Sequence, residues 1–302
     1  MEIGQLQAVI VLAEELHFHS AAQRLGITQP ALSQKLQRLE GEVGVTLFKR
    51  SQRRVSLTEA GHAFLERTRT ALSEIDNGVR TARKAARGQI GSLHLGFVEN
   101  ASLNVLPGLV STFRNAAPEV DLRLSEMISS ELYHRLHTGR IDVALSRPLS
   151  TDHAIETVLV HREPYLVVLP EAHPLAAFDS VTIAQLAREQ MIIAAGAKAT
   201  YLRTQFAPVF ARAGFGIRVG QEVNQLPAIL GLVSSGIGYA LLPDSASKLG
   251  TVGVVYRPLA EKDAPQAELV AAWRARDQNP TVRHFLSQLS GGGSPLVPSG
   301  LR

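Results

Sequence analysis

The chain has 302 residues, enough for two or three domains that each bury a core, and its 45% apolar and 19% charged content is that of a globular protein. It contains no cysteine, which excludes disulfides, thiolate metal sites, a cysteine nucleophile and thiol redox sensing. No apolar run approaches the roughly 18 residues of a membrane span. The N-terminus, with Glu2, Glu14 and Glu15, lacks the basic-then-apolar order of a signal peptide, so a cytoplasmic protein with no membrane partner is expected.

The net charge of +4 is unevenly placed: residues 1–87 hold 13 basic against 9 acidic side chains, and residues 88–302 hold 18 of each. Within the basic segment, Lys49, Arg50, Arg53 and Arg54 crowd together, as a polyanion contact or a solvated basic loop would. Leu6, Val9, Ile10, Leu12, Ala13 and Leu16 recur at helical spacing. Residues 20–40 then divide into a short helix, a turn at Gly26 and a second helix, with Thr28 as its cap and Pro30 in its first turn. Leu32, Leu36 and Leu39 form the inner stripe of that helix. Its outer face carries Gln29, Ser33, Gln34, Lys35, Gln37 and Arg38, residue types that reach base edges and phosphates in a major groove. A polar helical hairpin is the plainer alternative. Val45–Phe48 and Val55–Leu57 read as two short strands flanking the basic cluster, a wing whose Arg53 and Arg54 would lie along the DNA backbone or in the minor groove.

The run from Ala21 to Gly61 resembles the N-terminal domain of the LysR-type transcriptional regulators. The matching stretches are Ala21-Ala22-x-x-Leu25, Thr28-Gln29-Pro30-Ala31-Leu32-Ser33, Leu39-Glu40, Leu47-Phe48-x-Arg50 and Leu57-Thr58-x-x-Gly61. Gln34 departs from the arginine that many members carry, which bears on base preference rather than on the mode of binding. The resemblance implies DNA contacts at Gln29, Pro30, Ser33, Gln34, Lys35, Arg38, Arg50, Arg53 and Arg54.

From Thr58 to about Arg87 there is no proline, and Phe64, Thr68, Ala71, Ile75, Val79, Ala82 and Ala86 are spaced by threes and fours, close to a coiled-coil seam. Some thirty residues would span roughly 45 Å, more than a small domain needs. Self-association is favoured over packing within one domain, because a two-fold dimer matches a two-fold operator. Arg87-Gly88-Gln89-Ile90-Gly91-Ser92 then reads as a break in the helix.

Residues 92–290 alternate strand and helix patterns in two units, which predicts parallel sheets with covering helices. Strands are expected at Leu93–Val98, Val120–Glu126, Ile141–Ser146, Tyr165–Leu169, Met191–Ala194, Ile217–Glu222, Gly238–Leu242 and Glu268–Trp273. Helices are expected at about Leu103–Ala117, Ser130–His137, Ile183–Ala187, Leu202–Ala213, Pro227–Ser235 and Pro280–Leu289. This part resembles the family's effector-binding domain, similar in fold to periplasmic solute-binding proteins, through Val223-Asn224, Gly231–Tyr239, Leu242-Pro243, Asp142 and His173-Pro174-Leu175.

The predicted architecture is therefore an N-terminal all-α winged helix-turn-helix (1–58) with a long linker helix (59–87) and a hinge (88–91). A C-terminal α/β two-lobed effector domain (92–290) follows, lobe I at about 92–162 and 267–290 and lobe II at about 163–266, and residues 291–302 read as a flexible tail.

Ligands of open α/β sheets gather beyond the carboxyl ends of the strands. That rule selects Asn100, Ala101 and Ser102, then Ser129 and Ser130, then Arg147, with Thr200, Tyr201, Asn224 and Pro227 facing them from the second lobe and His161 in the connection. Helix N-termini and an arginine favour a small organic anion; simple helix capping is the alternative for the Ser, Thr and Asn residues, and a surface ion pair for Arg147. By resemblance to the aromatic-catabolism branch, Asn100, Ser129, Arg147, His161 and Thr200 stand at effector-contact positions. His161 replaces an arginine of some carboxylate-sensing members, which implies an effector of lower charge or a pH-dependent contact.

His134 and His137 lie three apart without a third metal ligand, Gly236-Ile237-Gly238 lacks the third glycine of a dinucleotide fingerprint, and neither a P-loop nor a Gly-x-Ser-x-Gly elbow occurs. No cofactor and no catalysis are expected. The sequence thus predicts a regulator that binds promoter DNA, pairs with itself into a dimer and tetramer, takes a small effector such as an aromatic or dicarboxylic acid, and has RNA polymerase as a further partner. The rivals are an effector-independent architectural DNA binder, and a solute-binding or enzymatic protein with an incidental helix-turn-helix.

Overall fold

A computed structural model describes residues 1–50, 55–149 and 153–289. The predicted wing tip, with Arg53 and Arg54, and the predicted tail lie outside the described residues. The chain separates into two compact units, residues 1–84 and 85–302.

The first unit begins with α1 (Ile3–Glu15), α2 (Phe18–Arg24) and α3 (Gln29–Val43). Glu2 and Gln5 form a reciprocal cap at the start of α1. Gly26 takes φ +67°, and the Thr28 hydroxyl accepts from the Ala31 N–H (3.4 Å) to open α3. Ala8, Val9, Leu12, Ala21, Leu32, Leu36 and Leu39 are fully buried and form the core of the three helices. Strands β1 (Phe48–Arg50) and β2 (Val55–Leu57) pair antiparallel, so β1 starts three residues later than the sequence suggests. Leu47 is fully buried because it packs into the helical core instead of extending the hairpin.

The long α4 (Glu59–Ala86) is capped by Thr58, whose hydroxyl accepts from the Gly61 N–H (2.8 Å) and donates to the Thr46 carbonyl (2.8 Å). A side chain at Gly61 would put its Cβ 2.0 Å from the Leu47 carbonyl oxygen. The Thr-x-x-Gly spacing therefore lays the first turn of α4 directly on the backbone leading into the wing. Beyond Thr68, the seam residues Ala71, Ile75, Val79, Ala82 and Ala86 are exposed in the single chain.

In the second unit, β3 (Ile90–Phe97) lies parallel to both β4 (Glu119–Glu126) and β5 (Val143–Ser146). Helices α5 (Val105–Ala116) and α6 (Ser129–His137) connect them, with a single 3-10 turn at Glu99–Leu103 before α5. The predicted hinge is tightly built. Gly88 has φ +68°, and a Cβ there would stand 2.2 Å from the Pro280 carbonyl oxygen at the start of the last helix.

The largest departure from the sequence reading is β6, which runs unbroken from Ile155 to Pro170 through the expected lobe boundary. Its first part, through Pro164, pairs with β11 (Gln266–Arg274), which in turn pairs with β5. The rest pairs with β9 (Ala240–Pro243) and β10 (Val254–Pro258). A smaller parallel pair, β7 (Met191–Ile193) and β8 (Val219–Glu222), lies beside them, with α7 (Ala197–Arg212) and α8 (Leu226–Ser234) as covers. α7 begins five residues earlier than expected, and the helix expected near Ile183–Ala187 is one 3-10 turn at Ala184–Leu186. α9 (Pro280–Leu289) returns to the first lobe, where Phe285 packs edge-on against Phe113 at 5.2 Å between ring centres.

Two side-chain contacts fix β6, the first of them across the lobes. The buried Glu163 carboxylate accepts from Asn104 Nδ2 (3.0 Å) of the first lobe and from the Ser245 N–H (2.7 Å) and hydroxyl (3.0 Å) of the second. Arg162 binds Glu268 across the strands at 2.6 Å.

Candidate functional site

In the first unit the expected DNA-facing residues fall into two groups. Gln29, Pro30, Gln34 and Arg38 are exposed on α3, and Ser33 and Lys35 are half-buried beside them. Arg50 is tied down. Its Nη2 donates to Glu40 Oε2 (3.1 Å), its Nη1 to the Ser33 hydroxyl (3.3 Å), and its guanidinium lies 5.2 Å from the centre of the Phe18 ring. The other oxygen of Glu40 accepts from the backbone N–H groups of Leu47 (2.8 Å) and Phe48 (3.1 Å). Glu40 and Arg50 thus join α3 to the root of the wing. This gives a physical reason for the Leu39-Glu40 and Leu47-Phe48-x-Arg50 stretches: they fix the recognition face relative to the hairpin.

In the second unit a cleft of about 120 Å³ opens between the lobes. Of the sequence-selected residues it is lined by Asn100, Ser129, Ser130, Arg147, Tyr201 and Asn224, which come from five separate stretches of chain. The others do not line it. Ala101 is fully buried in the first lobe's core, and Ser102 is turned back to the Glu99 carbonyl (2.6 Å). Thr200 is exposed, with its hydroxyl near the Gly196 carbonyl (3.4 Å). Pro227 sits exposed in the first turn of α8. His161 is half-buried within β6, opposite Leu269 of β11, rather than in a loop.

Arg147 follows β5. Its backbone N–H donates to the Ser129 hydroxyl (3.2 Å), and its Nη1 to the Glu268 carbonyl (2.8 Å). Among the described residues no carboxylate pairs with its guanidinium, unlike the surface ion pair that was the plainer expectation. Its charge is felt across the cleft: burial pushes the phenols of Tyr165 and Tyr201 up, and Arg147 pulls both back. Asn100 adds a buried Nδ2 donor with no partner among the described residues. Leaving such a donor unmet costs about 1–3 kcal/mol.

Sequence reasoning missed Glu99, Tyr165 and Lys198, all of which line the cleft. Glu99 adjoins Asn100 in the same turn, and the strand-end rule would have reached it one residue earlier. Lys198 was hidden by the late start assigned to α7. The remaining wall is largely aliphatic, with Ile128, Leu149, Ile193, Leu202 and Leu241 among its members. This arrangement suits a small molecule with one anionic group and an apolar body. Among the described residues no group of three or more His, Asp or Glu side chains could hold a metal ion, and no helix is long and apolar enough to cross a membrane.

Comparison with known proteins identifies both units. Residues 3–62 match the model of the bacterial regulatory helix-turn-helix proteins of the lysR family, and residues 86–293 match that of the LysR substrate binding domain. The HTH-type transcriptional regulator AlsR of Bacillus subtilis is 40% identical over 286 residues, covering 95% of this chain and 94% of AlsR. The crystal structure of CbnR, a LysR family transcriptional regulator, superimposes with a TM-score of 0.84 at 26% identity, over 96% of this chain and all of CbnR. CbnR in complex with its target DNA superimposes with a TM-score of 0.80 at 26% identity, over 96% of this chain and 99% of CbnR. The chain belongs to the LysR family of transcriptional regulators, with a helix-turn-helix DNA-binding domain followed by a substrate-binding domain.

Proposed function

We propose that this regulator binds promoter DNA and that a small organic anion in the cleft adjusts that binding. On this reading Gln29, Pro30, Ser33, Gln34, Lys35 and Arg38 of α3 read base edges and nearby phosphates, while Arg53 and Arg54 contact the phosphates or the minor groove. Arg50 contributes by holding the wing against α3. The exposed Ile75 and Val79 of α4 support a dimer formed along that helix, and further pairing of effector domains gives a tetramer on the operator. RNA polymerase is a further partner at an activated promoter, in a cytoplasmic setting.

The observation that carries the effector reading is the guanidinium of Arg147, which has no carboxylate partner among the described residues and stands in a largely aliphatic cleft beside Asn100. The ligand acts by binding one relative arrangement of the lobes better than another, since equal affinity for both would shift nothing. Glu163 and the shared strand β6 stand where such a shift is felt.

Footprinting on the upstream region of the protein's own gene, with and without small carboxylic acids, tests this reading. A salt-sensitive footprint that changes with ligand is expected, and Arg147→Ala should keep the footprint and lose the change. A footprint indifferent to every acid would favour an effector-independent architectural protein, and no preference over scrambled duplex would overturn the reading altogether.

A further inference from the structure

We propose that Glu99 is the residue that sets the charge of the cleft's ligand, limiting it to a monoanion with an apolar body. The inference rests on the reading of the cleft as an effector site. Among the described residues its walls hold two cations, the guanidinium of Arg147 and the ammonium of Lys198, and the N–H groups that open α6 and α8, with the Asn100 amide as a neutral donor. Glu99 already fills two of these, Lys198 and the start of α8. Its Oε2 lies 3.4 Å from Lys198 Nζ, and its Oε1 accepts from the Leu226 N–H at 3.1 Å. Lys198 spends a further N–H on the Asn224 carbonyl (3.2 Å). Both charged side chains are mostly withdrawn from water, at 24% exposure for Glu99 and 32% for Lys198. The protein has in effect installed one carboxylate of its own in the second lobe's anion position, and among the described residues of the cleft Arg147 is the cation left for an incoming one.

A ligand with a second carboxylate meets two obstacles. Turned toward Lys198 and α8, it faces the negative charge of Glu99; turned elsewhere, it is desolvated against aliphatic side chains such as Ile128, Ile193 and Leu241. An apolar ligand body loses nothing on the same wall. Because Glu99 belongs to the first lobe and Lys198 and Leu226 to the second, the contact also ties the lobes together before any ligand arrives.

The test is isothermal titration of the full-length protein with pairs of acids that differ by one carboxylate: benzoate against isophthalate, and isovalerate against 3-methylglutarate. The wild type should bind each monoanion at least about tenfold more tightly than its dianionic counterpart. Glu99→Gln, which keeps the shape and an acceptor for the Leu226 N–H, should bring that ratio to about one or invert it by strengthening the dianions, with Lys198 released to receive the second charge. Arg147→Ala should lose both classes. Equal or stronger binding of dianions by the wild type would overturn this inference and leave the effector reading standing, and it can be read without any variant. An unchanged ratio in Glu99→Gln would also overturn it. Binding of neither class would overturn both.

Discussion

The two units each contain an arginine that sequence reasoning assigned to a ligand, and they use it differently. In the helix-turn-helix unit, Arg50 is exposed but paired with Glu40 and in contact with Ser33 and Phe18, and the same Glu40 holds the backbone of Leu47 and Phe48. In the effector cleft, Arg147 is held by backbone and hydroxyl groups alone, with no carboxylate among the described residues to neutralise it. A guanidinium keeps its charge at any accessible pH, so what matters is whether the fold already supplies the counter-charge. Where it does, the arginine sets geometry; where it does not, the arginine is available to an incoming anion.

The comparison can be broken first at the packing that surrounds the clamp. Gly61→Val should have the largest effect, more than about 3 kcal/mol, because its Cβ would meet the Leu47 carbonyl at 2.0 Å, where backbone must move. Chemical denaturation should show the loss in the transition of the first unit, with benzoate binding by the second unit unchanged. Glu40→Ala is next, at about 2–3 kcal/mol, since it leaves the two partly buried N–H groups of Leu47 and Phe48 and the Arg50 charge without an acceptor. The same denaturation assay checks it, and a loss below about 0.5 kcal/mol would mean that the clamp holds little.

A smaller effect should follow from Gln29→Ala, on the exposed N-terminal end of α3. Removing one base-reading contact should weaken discrimination between the operator and scrambled duplex by about 1–2 kcal/mol in a competition gel shift, without altering thermal stability. The smallest, about 1 kcal/mol, is expected from Ile75→Ser on the exposed seam of α4. It should weaken self-association in sedimentation and leave the fold of both units intact; an unchanged dimer would place the interface elsewhere.

The helix-turn-helix was legible because its signals are local. Thr28 caps α3, Gly26 takes the left-handed turn, and Leu32, Leu36 and Leu39 point inward at helical spacing. Each of these is decided within a few residues of sequence. α9 was found at its observed bounds, Pro280–Leu289, for the same reason.

The cleft was less legible because long-range partners decide it. His161, Arg162, Glu163 and Pro164 look like a polar connection, yet they continue β6, because Glu268 meets Arg162 and because Asn104 and Ser245 satisfy the buried Glu163. Those partners lie between 59 and 106 residues away along the chain. Arg147 could be picked out from its place after a strand. That it meets no carboxylate among the described residues, and that Lys198 is already taken by Glu99, depends on how segments far apart in sequence meet.

The most direct measurement is the thermal unfolding of Arg50→Ala and Arg147→Ala, each with and without benzoate. An arginine with a carboxylate partner and one with none among the described residues predict opposite responses. Arg50→Ala should lower the melting temperature of the first unit and keep the ligand-induced stabilisation of the second, whereas Arg147→Ala should melt like the wild type and lose that stabilisation. If Arg147→Ala instead unfolds early, or still gains stability from benzoate, the guanidinium belongs to the scaffold and the account of the cleft is wrong.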